Sequence, residues 1–242
     1  FVVFRCLLQS MDDSRKAPKV PRTLREKQDA KRLIIIVEGC WIETAKAGNQ
    51  YELLNCDDHK GLINKRGQDY ADYRPDILHQ CLLTLMDSPL NRAGLLQVYV
   101  KTRKGVLIEV HPQTRIPRSF WQFSRMMVQL MKSLKVRAAG APYQLFRTVK
   151  NPVTQYLPVG CRKIGTSAHT DKKVNVQEWV DALPDKPIAF VIGGVSRGDP
   201  ALELEYVDES VCISGYPLSA SVVCSKIVNA FENAWIPEPE VV

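Results

Sequence analysis

Leu33-Ile34-Ile35-Ile36-Val37 is the stretch of this 242-residue chain that decides the fold. Five consecutive apolar residues, four of them β-branched, are typical of a strand that is buried on both faces of a sheet. Residues 188–192 form a second run of this kind, and Gly193-Gly194 follows it directly. Strand-like runs that alternate with helical periodicity predict an α/β domain.

Shorter patterns lie between and after these two runs. Residues 96–102 and 106–110 are strand-like, and Arg103-Lys104-Gly105 is expected to turn between them as a hairpin. Apolar spacing predicts helices at 76–86, at 119–135 and from Ala220 onward, with Ser219 as a candidate N-cap. Their apolar sides comprise Ile77, Leu78, Leu82 and Leu85; Phe120, Phe123, Met127, Leu130 and Leu134; and Ala220, Val223, Cys224, Ile227, Phe231 and Ala234.

The charge of the chain is unevenly distributed. The net charge is +7, but residues 101–137 alone hold nine basic residues and one acid, Glu109. Residues 200–242 hold seven acids and a single Lys. This polarity favours one face that binds phosphates, and nucleic acid is the commonest acidic partner. The alternative is two solvated faces that differ only in composition.

Cysteine usage and the amino-terminal segment restrict the class of protein. The seven cysteines include no CxxC pair, which argues against a disulfide framework and against a zinc site. The apolar start, residues 1–8, is short and interrupted by Arg5, so we expect neither a signal peptide nor a membrane partner. Residues 12–32 hold eight basic and four acidic residues, and we expect 1–30 to be a basic, poorly ordered lead-in.

Two glycine-containing loops are candidate ligand sites. Gly193 to Gly198 follows a predicted strand, where glycines let a ligand approach the backbone; a tight loop that needs positive φ explains it equally well. Residues 211–221 run through Gly215 and Pro217 into a helix, and backbone groups in such a loop can bind an adenine. Taken alone, this second loop is more simply a helix cap.

Two arginine motifs are candidate RNA contacts. In Arg74-Pro75-Asp76 the carboxylate can hold the guanidinium in one orientation, although Asp76 also suits the first turn of a helix. Arg115 and Arg118 stand just before aromatic residues in the most basic part of the chain, which suits backbone and base contacts with RNA. We expect His79 to be buried and hydrogen-bonded, and residues 55–59 not to form a metal site.

Six strings of the sequence together resemble one family, the eukaryotic ribosome-biogenesis pseudouridine-N(1) methyltransferases of small-subunit rRNA. The resemblance covers about residues 31–236 and implies one SPOUT methyltransferase domain over 31–242. It further implies an RNA-binding extension with a β-hairpin and a helix within 43–150, and a trefoil knot that binds the cofactor within 160–236. The strings are residues 51–59, 74–77, 79–85, 87–91, 115–118 and 216–220.

The resemblance also implies site residues, a cofactor and partners. The cofactor is S-adenosylmethionine, the substrate is a single-stranded loop of small-subunit rRNA, and the protein is a nucleolar homodimer that works beside pre-ribosomal assembly factors. The catalytic roles follow from the chemistry of the transfer: Arg74 is the candidate to stabilise the anionic base, and Asp87 is the candidate proton acceptor or organiser. Cofactor contacts fall on Thr166, Gly193, Gly198, Ile213, Ser214, Gly215, Tyr216, Pro217 and Leu218, and RNA contacts on Arg74, Asp76, Arg115, Arg118 and Gln122.

Some positions depart from the family pattern, and two other functions stay open. Gln122 stands where a basic residue is usual, which puts one phosphate contact in doubt, and Gly215 replaces the usual Asn of the adenine loop. The first alternative function is an RNA-binding assembly factor whose methyltransferase activity is secondary or lost. The second is an enzyme that uses a dinucleotide, suggested only by the glycines after residue 192.

Overall fold

The computed structural model describes residues 30–137 and 143–236, and its centre is an eight-stranded mixed sheet in the order β10-β8-β9-β1-β4-β5-β7-β6. The strands are β1 Leu33–Cys40, β2 Thr44–Ala47, β3 Gln50–Leu53, β4 Leu96–Thr102, β5 Leu107–Val110, β6 Lys135–Arg137, β7 Gln144–Val149, β8 Arg162–Thr166, β9 Ile188–Gly193 and β10 Glu209–Val211. The helices are α1 Lys60–Lys65, α2 Pro75–Asp87, α3 Pro89–Arg92, α4 Phe120–Ser133, α5 Val176–Asp181 and α6 Ala220–Trp235.

Strand β1 is an interior strand of the parallel part of the sheet, β10-β8-β9-β1-β4. It pairs in parallel with β4 on one side and with β9 on the other, and β8 and β10 continue the parallel order beyond β9. Leu33 to Val37 are completely buried because alternate side chains enter two separate cores. The α/β prediction and the two buried strands are therefore confirmed, and the carboxyl ends of β1, β8, β9 and β10 meet at one edge.

The predicted hairpin is also confirmed. Strands β4 and β5 pair antiparallel, and Gly105 turns between them with φ +81°. Because β4 also pairs with β1, the hairpin joins the parallel strands to the antiparallel strands of the same sheet. Strands β5, β7 and β6 add an antiparallel region to the same sheet, while β2 and β3 form a separate two-stranded sheet.

The three predicted helices correspond to α2, α4 and α6, and three details of their ends were wrong. Leu134 was expected on the apolar side of α4, but it ends the helix in a left-handed conformation with φ 60° and is exposed. Ser219 precedes α6 as expected, yet its hydroxyl caps no backbone N–H and lies 3.2 Å from the hydroxyl of Ser221. Ala234, near the end of α6, is exposed as well.

Several predictions from the sequence are not tested by the described residues. Residues 1–29 of the predicted lead-in lie outside the described residues. The trefoil knot stays a prediction, as do the boundaries of the extension and of the cofactor-binding region. Within the two described ranges, every helix is too short or too polar to cross a bilayer.

The structure predicts that Gly194→Ala destabilises the fold. A Cβ at position 194 would lie 2.4 Å from Sγ of Cys40 and 2.9 Å from Cγ1 of Val37, both of which are buried residues of β1. Overpacking of this kind costs about 1–3 kcal/mol in the free energy of unfolding, measurable by urea denaturation. The matched control is Gly61→Ala in α1, where a Cβ meets nothing within 4 Å. We expect the control to be neutral or slightly stabilising, and equal losses in both variants would contradict the prediction.

Candidate functional site

A cavity of about 410 Å³ opens at the carboxyl-terminal edge of the parallel strands. Its lining comes from the residues that follow β8, β9 and β10, together with the start of α2 and of α6. This is the edge at which open α/β sheets bind ligands, because the loops there leave the sheet in different directions. The cavity brings together Arg74 and seven of the residues implied to hold the cofactor: Thr166, Gly193, Gly198, Ile213, Ser214, Tyr216 and Leu218.

The loop after β9 reaches the cavity through backbone that favours glycine. Gly198 has φ +82°, and a Cβ there would meet nothing within 4 Å, so the constraint is conformational rather than steric. At Gly193 a Cβ would lie 3.1 Å from Cδ of Pro200, which lines the same cavity. Thr166, at the end of β8, is buried and donates its hydroxyl to the carbonyl of Val191. The hydroxyl thereby fixes the floor of the cavity against β9.

The residues of the loop after β10 differ in whether they line this cavity. The backbone N–H of Tyr216 donates to the hydroxyl of Ser214 at 3.0 Å, while the Tyr216 ring is 81% exposed. Gly215 lines a neighbouring cavity of about 570 Å³ on the side of Lys173 and Lys226. Pro217 lies between the residues of the first cavity without being part of its lining.

Arg74 is held in one orientation at the rim of the cavity. Its Nε donates to Oδ1 of Asp76 at 2.8 Å, and its second guanidinium nitrogen donates to Oδ2 at 2.7 Å. The hydrogen bond with Asp76 raises the pKa of Arg74. The pair expected from the sequence is confirmed, and it is bidentate, which is the geometry that fixes a guanidinium most strictly. Asp76 also occupies the first turn of α2, so both interpretations of this motif hold.

The loop after β9 also contacts the segment that leads to Arg74. Arg197 donates to Oδ2 of Asp69 at 2.8 Å, and the hydroxyl of Ser196 donates to the carbonyl of Ala71 at 3.0 Å. The backbone N–H of Ala71 and the Arg197 guanidinium lower the pKa of Asp69. The two sides of the cavity therefore touch each other directly.

The Arg115–Arg118 segment is anchored to α2 through a buried histidine. Nε2 of His79 lies 2.7 Å from the carbonyl oxygen of Pro117, and the ring stacks on Phe123 with a centroid distance of 4.6 Å. The expectation of a buried, hydrogen-bonded His79 is confirmed. Arg115 and Arg118, on either side of Pro117, are both exposed, and Gln122 follows in the first turn of α4.

Asp87 is the one predicted catalytic residue that lies away from the cavity. It ends α2, twelve residues beyond Pro75, which places it about 18 Å along the helix from the Arg74 end. Its Oδ2 instead pairs with Arg118 at 2.6 Å. In one chain Asp87 is therefore not placed to accept a proton at the cavity; it holds a candidate RNA contact.

Several residues that line the cavity were not predicted from the sequence. Ser167, Ala168 and His169 follow β8, and Asp199 lies 3.5 Å from Nδ1 of His169. The signal that finds them is the parallel pairing of β8 with β9, which places both carboxyl ends at the same edge. The short strand β8 carries charged and glycine residues that hide it in the sequence.

Residues 55–59 are held together by their own hydrogen bonds. Oδ1 of Asn55 accepts from the backbone N–H groups of Asp57 and Asp58, and His59 contacts Glu52 at 3.0 Å. Within residues 30–137 and 143–236, no group of three or more His, Cys, Asp or Glu side chains is placed to hold a metal ion.

The chain is similar in sequence to one known protein family. The sequence model of the family described as "EMG1/NEP1 methyltransferase" matches residues 35–232. A human protein named "Ribosomal RNA small subunit methyltransferase NEP1" is 50% identical over 228 residues, which cover 94% of this chain and 92% of the relative. A Candida albicans protein of the same name is 46% identical, and the alignment covers 88% of this chain and 82% of that relative.

A solved structure shares the fold. The crystal structure of Archaeoglobus fulgidus Nep1 bound to S-adenosylhomocysteine superposes with a TM-score of 0.61 at 21% identity. The alignment covers 85% of this chain and 98% of the archaeal chain. At this level of identity the superposition establishes the fold alone.

The anchoring role of His79 predicts a difference between two histidines. His79→Leu keeps apolar bulk but leaves the Pro117 carbonyl without its donor, which costs about 1–3 kcal/mol in the free energy of unfolding. His169→Leu is the matched control, because its side chain is 75% exposed. We expect the control to lie within about 0.5 kcal/mol of the unmodified protein in urea denaturation. A neutral His79→Leu would rule out this anchor.

Proposed function

The chain belongs to the EMG1/NEP1 methyltransferase family, and from this premise we propose that it transfers a methyl group from S-adenosylmethionine to a nucleotide of small-subunit rRNA. The observation that carries the proposal is the single cavity that Arg74 shares with the loops after β8, β9 and β10. One side of that cavity suits a nucleoside cofactor, and the other presents an oriented cation to an anionic substrate.

The residues of the cavity fit S-adenosylmethionine. The volume of the cavity, about 410 Å³, lies within the usual range for small-molecule sites. Ile192, Ile213 and Leu218 give apolar walls for an adenosine, and the backbone of residues 213–218 offers donors and acceptors for a base. Asp199 adds a carboxylate that complements a cationic ligand. When bound, the cofactor supplies an electrophilic methyl group on a sulfonium.

The main task of the protein in such a transfer is orientation. Displacement at a methyl group requires donor and acceptor in line, and holding two reactants in place lowers the barrier by several kcal/mol. Arg74, fixed by Asp76, is positioned to stabilise negative charge that develops on the target base as its nitrogen loses a proton. Because both hydrogen bonds to Asp76 are already formed, the guanidinium does not need to reorganise during the reaction.

We further propose the finer identity of the substrate and the setting of the enzyme. The acceptor is N(1) of a pseudouridine in a single-stranded loop, and the base leaves its stack to reach the cavity, as base-modifying enzymes require. Arg115, Arg118 and Gln122 contact the RNA backbone beside it. The protein acts as a homodimer in the nucleolus, together with pre-ribosomal assembly factors. The resemblance of the sequence strings to the eukaryotic pseudouridine methyltransferases supports these points.

Gly198→Val is the first test of the cofactor site. A β-branched residue is strained at φ +82° and also places bulk beside the cavity, so calorimetry should show S-adenosylmethionine binding weakened by at least about tenfold. Gly48→Val is the matched control, because Gly48 has φ +61° with nothing within 4 Å and lies in the turn between β2 and β3. The control should lose similar stability and keep its cofactor affinity. Equal cofactor affinity in the two folded variants would refute the proposed site.

Asp76→Asn tests the role of the oriented arginine. The variant keeps the shape of the side chain but removes the charge that holds Arg74, so methyl transfer to a pseudouridine-containing stem-loop should fall about 10- to 100-fold. S-adenosylmethionine binding should be unchanged. The control is Asp185→Asn, whose carboxylate pairs with Lys31 and which precedes the amino-terminal end of β9, whereas the cavity opens at the carboxyl-terminal end. If the unmodified protein binds this RNA but transfers no methyl group, the chain is an assembly factor with a secondary or lost activity.

A further inference from the structure

The exposed side of α4 carries an aromatic ring that the proposed site does not use. Trp121 is 61% exposed, whereas the other three tryptophans of the chain are at least partly buried. It stands in the first turn of α4, three residues after Arg118. Exposed aromatic residues beside basic ones are typical of nucleic-acid surfaces.

Cations accompany this ring and a second one nearby. The guanidinium of Arg125 lies 4.8 Å from the centroid of Trp121, and Nζ of Lys132 lies 4.4 Å from the centroid of Tyr51. Tyr51 belongs to β3, which packs against α4, and is 50% exposed. Each ring is thus exposed over about half or more of its surface while a positive charge stands beside it.

These side chains form one stripe. At 3.6 residues per turn, Trp121, Arg125 and Lys132 point within about 40° of one direction, and they span about 16 Å along the helix axis. The helix Phe120–Ser133 contains no acidic residue, and residues 101–137 have a net charge of +8. The stripe begins beside Arg118, so it continues the basic segment that the proposed function assigns to RNA. We name Tyr51, Trp121, Arg125 and Lys132 the α4 stripe.

We propose that the α4 stripe binds single-stranded RNA that extends beyond the target base, with an unpaired base stacked on Trp121 and phosphates held by Arg125 and Lys132. The proposal rests on the proposed function for the identity of the RNA. Alternating rings and cations suit unpaired strands because every unstacked base offers a π face, whereas the bases of a duplex already stack on each other. Trp121 and Arg125 thereby supply contacts near Gln122, the position where a basic residue is usual in the family.

Charge decides between this occupant and a second copy of the chain. A symmetric contact between two stripes would bring Arg125 and Lys132 of both copies together without an acid on either helix, which costs free energy. A polyanion meets the same surface with opposite charge. The stripe therefore favours nucleic acid over self-association.

The test compares full-length variants in their affinity for a labelled oligouridine and for the same strand annealed to its complement. Trp121→Ala should weaken binding of the single strand about 5- to 100-fold and leave duplex binding unchanged. Because stacking releases few counterions, the salt dependence should not change in this variant. Arg125→Gln should reduce the slope of log affinity against log salt by about 0.7. Ser225→Ala, exposed on α6 rather than on α4, is the control, and it should behave as the unmodified chain.

Further readouts separate the proposal from its premise. Stacking should quench the fluorescence of Trp121, and the quenching should vanish in Trp121→Phe while the other tryptophans report an intact fold. Oligouridine binding that is equal in Trp121→Ala and Ser225→Ala would overturn the α4 stripe, as would a change from dimer to monomer in Trp121→Ala on sedimentation. S-adenosylmethionine binding should persist in every stripe variant. Its absence from the unmodified chain would overturn the proposed function alone, because the oligouridine comparison does not depend on methyl transfer.

Discussion

The parallel pairing of β1 with both β4 and β9 is the constraint on which the rest of the structure depends. A strand with parallel neighbours on both sides and helices or loops over both faces must be apolar at every position, and Leu33 to Val37 meet this requirement. Once β1 is fixed, β9 and β8 follow in register, and their carboxyl ends meet at one edge. The cavity is therefore a consequence of the sheet rather than of any one loop.

Helix α2 connects this edge to the basic surface. Its amino-terminal end carries the Arg74–Asp76 pair at the cavity, and its carboxyl-terminal end carries Asp87, which pairs with Arg118. Between them, His79 binds the Pro117 carbonyl, so the segment from 115 to 118 is attached to the helix at two points. A displacement of α2 would move both the oriented arginine and the exposed cations. One rigid element thus sets the spacing between the place of chemistry and the surface proposed to bind RNA.

Local signals in the sequence were enough for much of the fold, and non-local ones were not. The buried runs at β1 and β9, the hairpin around Gly105 and the periodicity of α2, α4 and α6 depend on neighbouring residues, so they were predictable. Strand β8 escaped because Arg162, Lys163 and Gly165 interrupt its apolar pattern. Leu134 fits the period of α4, but its own left-handed conformation ends the helix at that residue, so its side chain does not join the buried side of α4. The sequence also could not show that Asp87 lies a helix length from Arg74, since a motif gives residues without their separation in space.

The two ion pairs at the cavity differ in strength, and the difference identifies what orients Arg74. The Arg197–Asp69 pair joins two exposed side chains, and an ion pair between groups in water contributes little to stability. Arg74 and Asp76 are two residues apart, form two parallel hydrogen bonds, and are attached to the first turn of a packed helix. The folding of α2 already places these two groups side by side, so little further conformational entropy is lost when they pair. The orientation of Arg74 therefore depends on helix α2, while the loop after β9 can rearrange around a ligand without disturbing it.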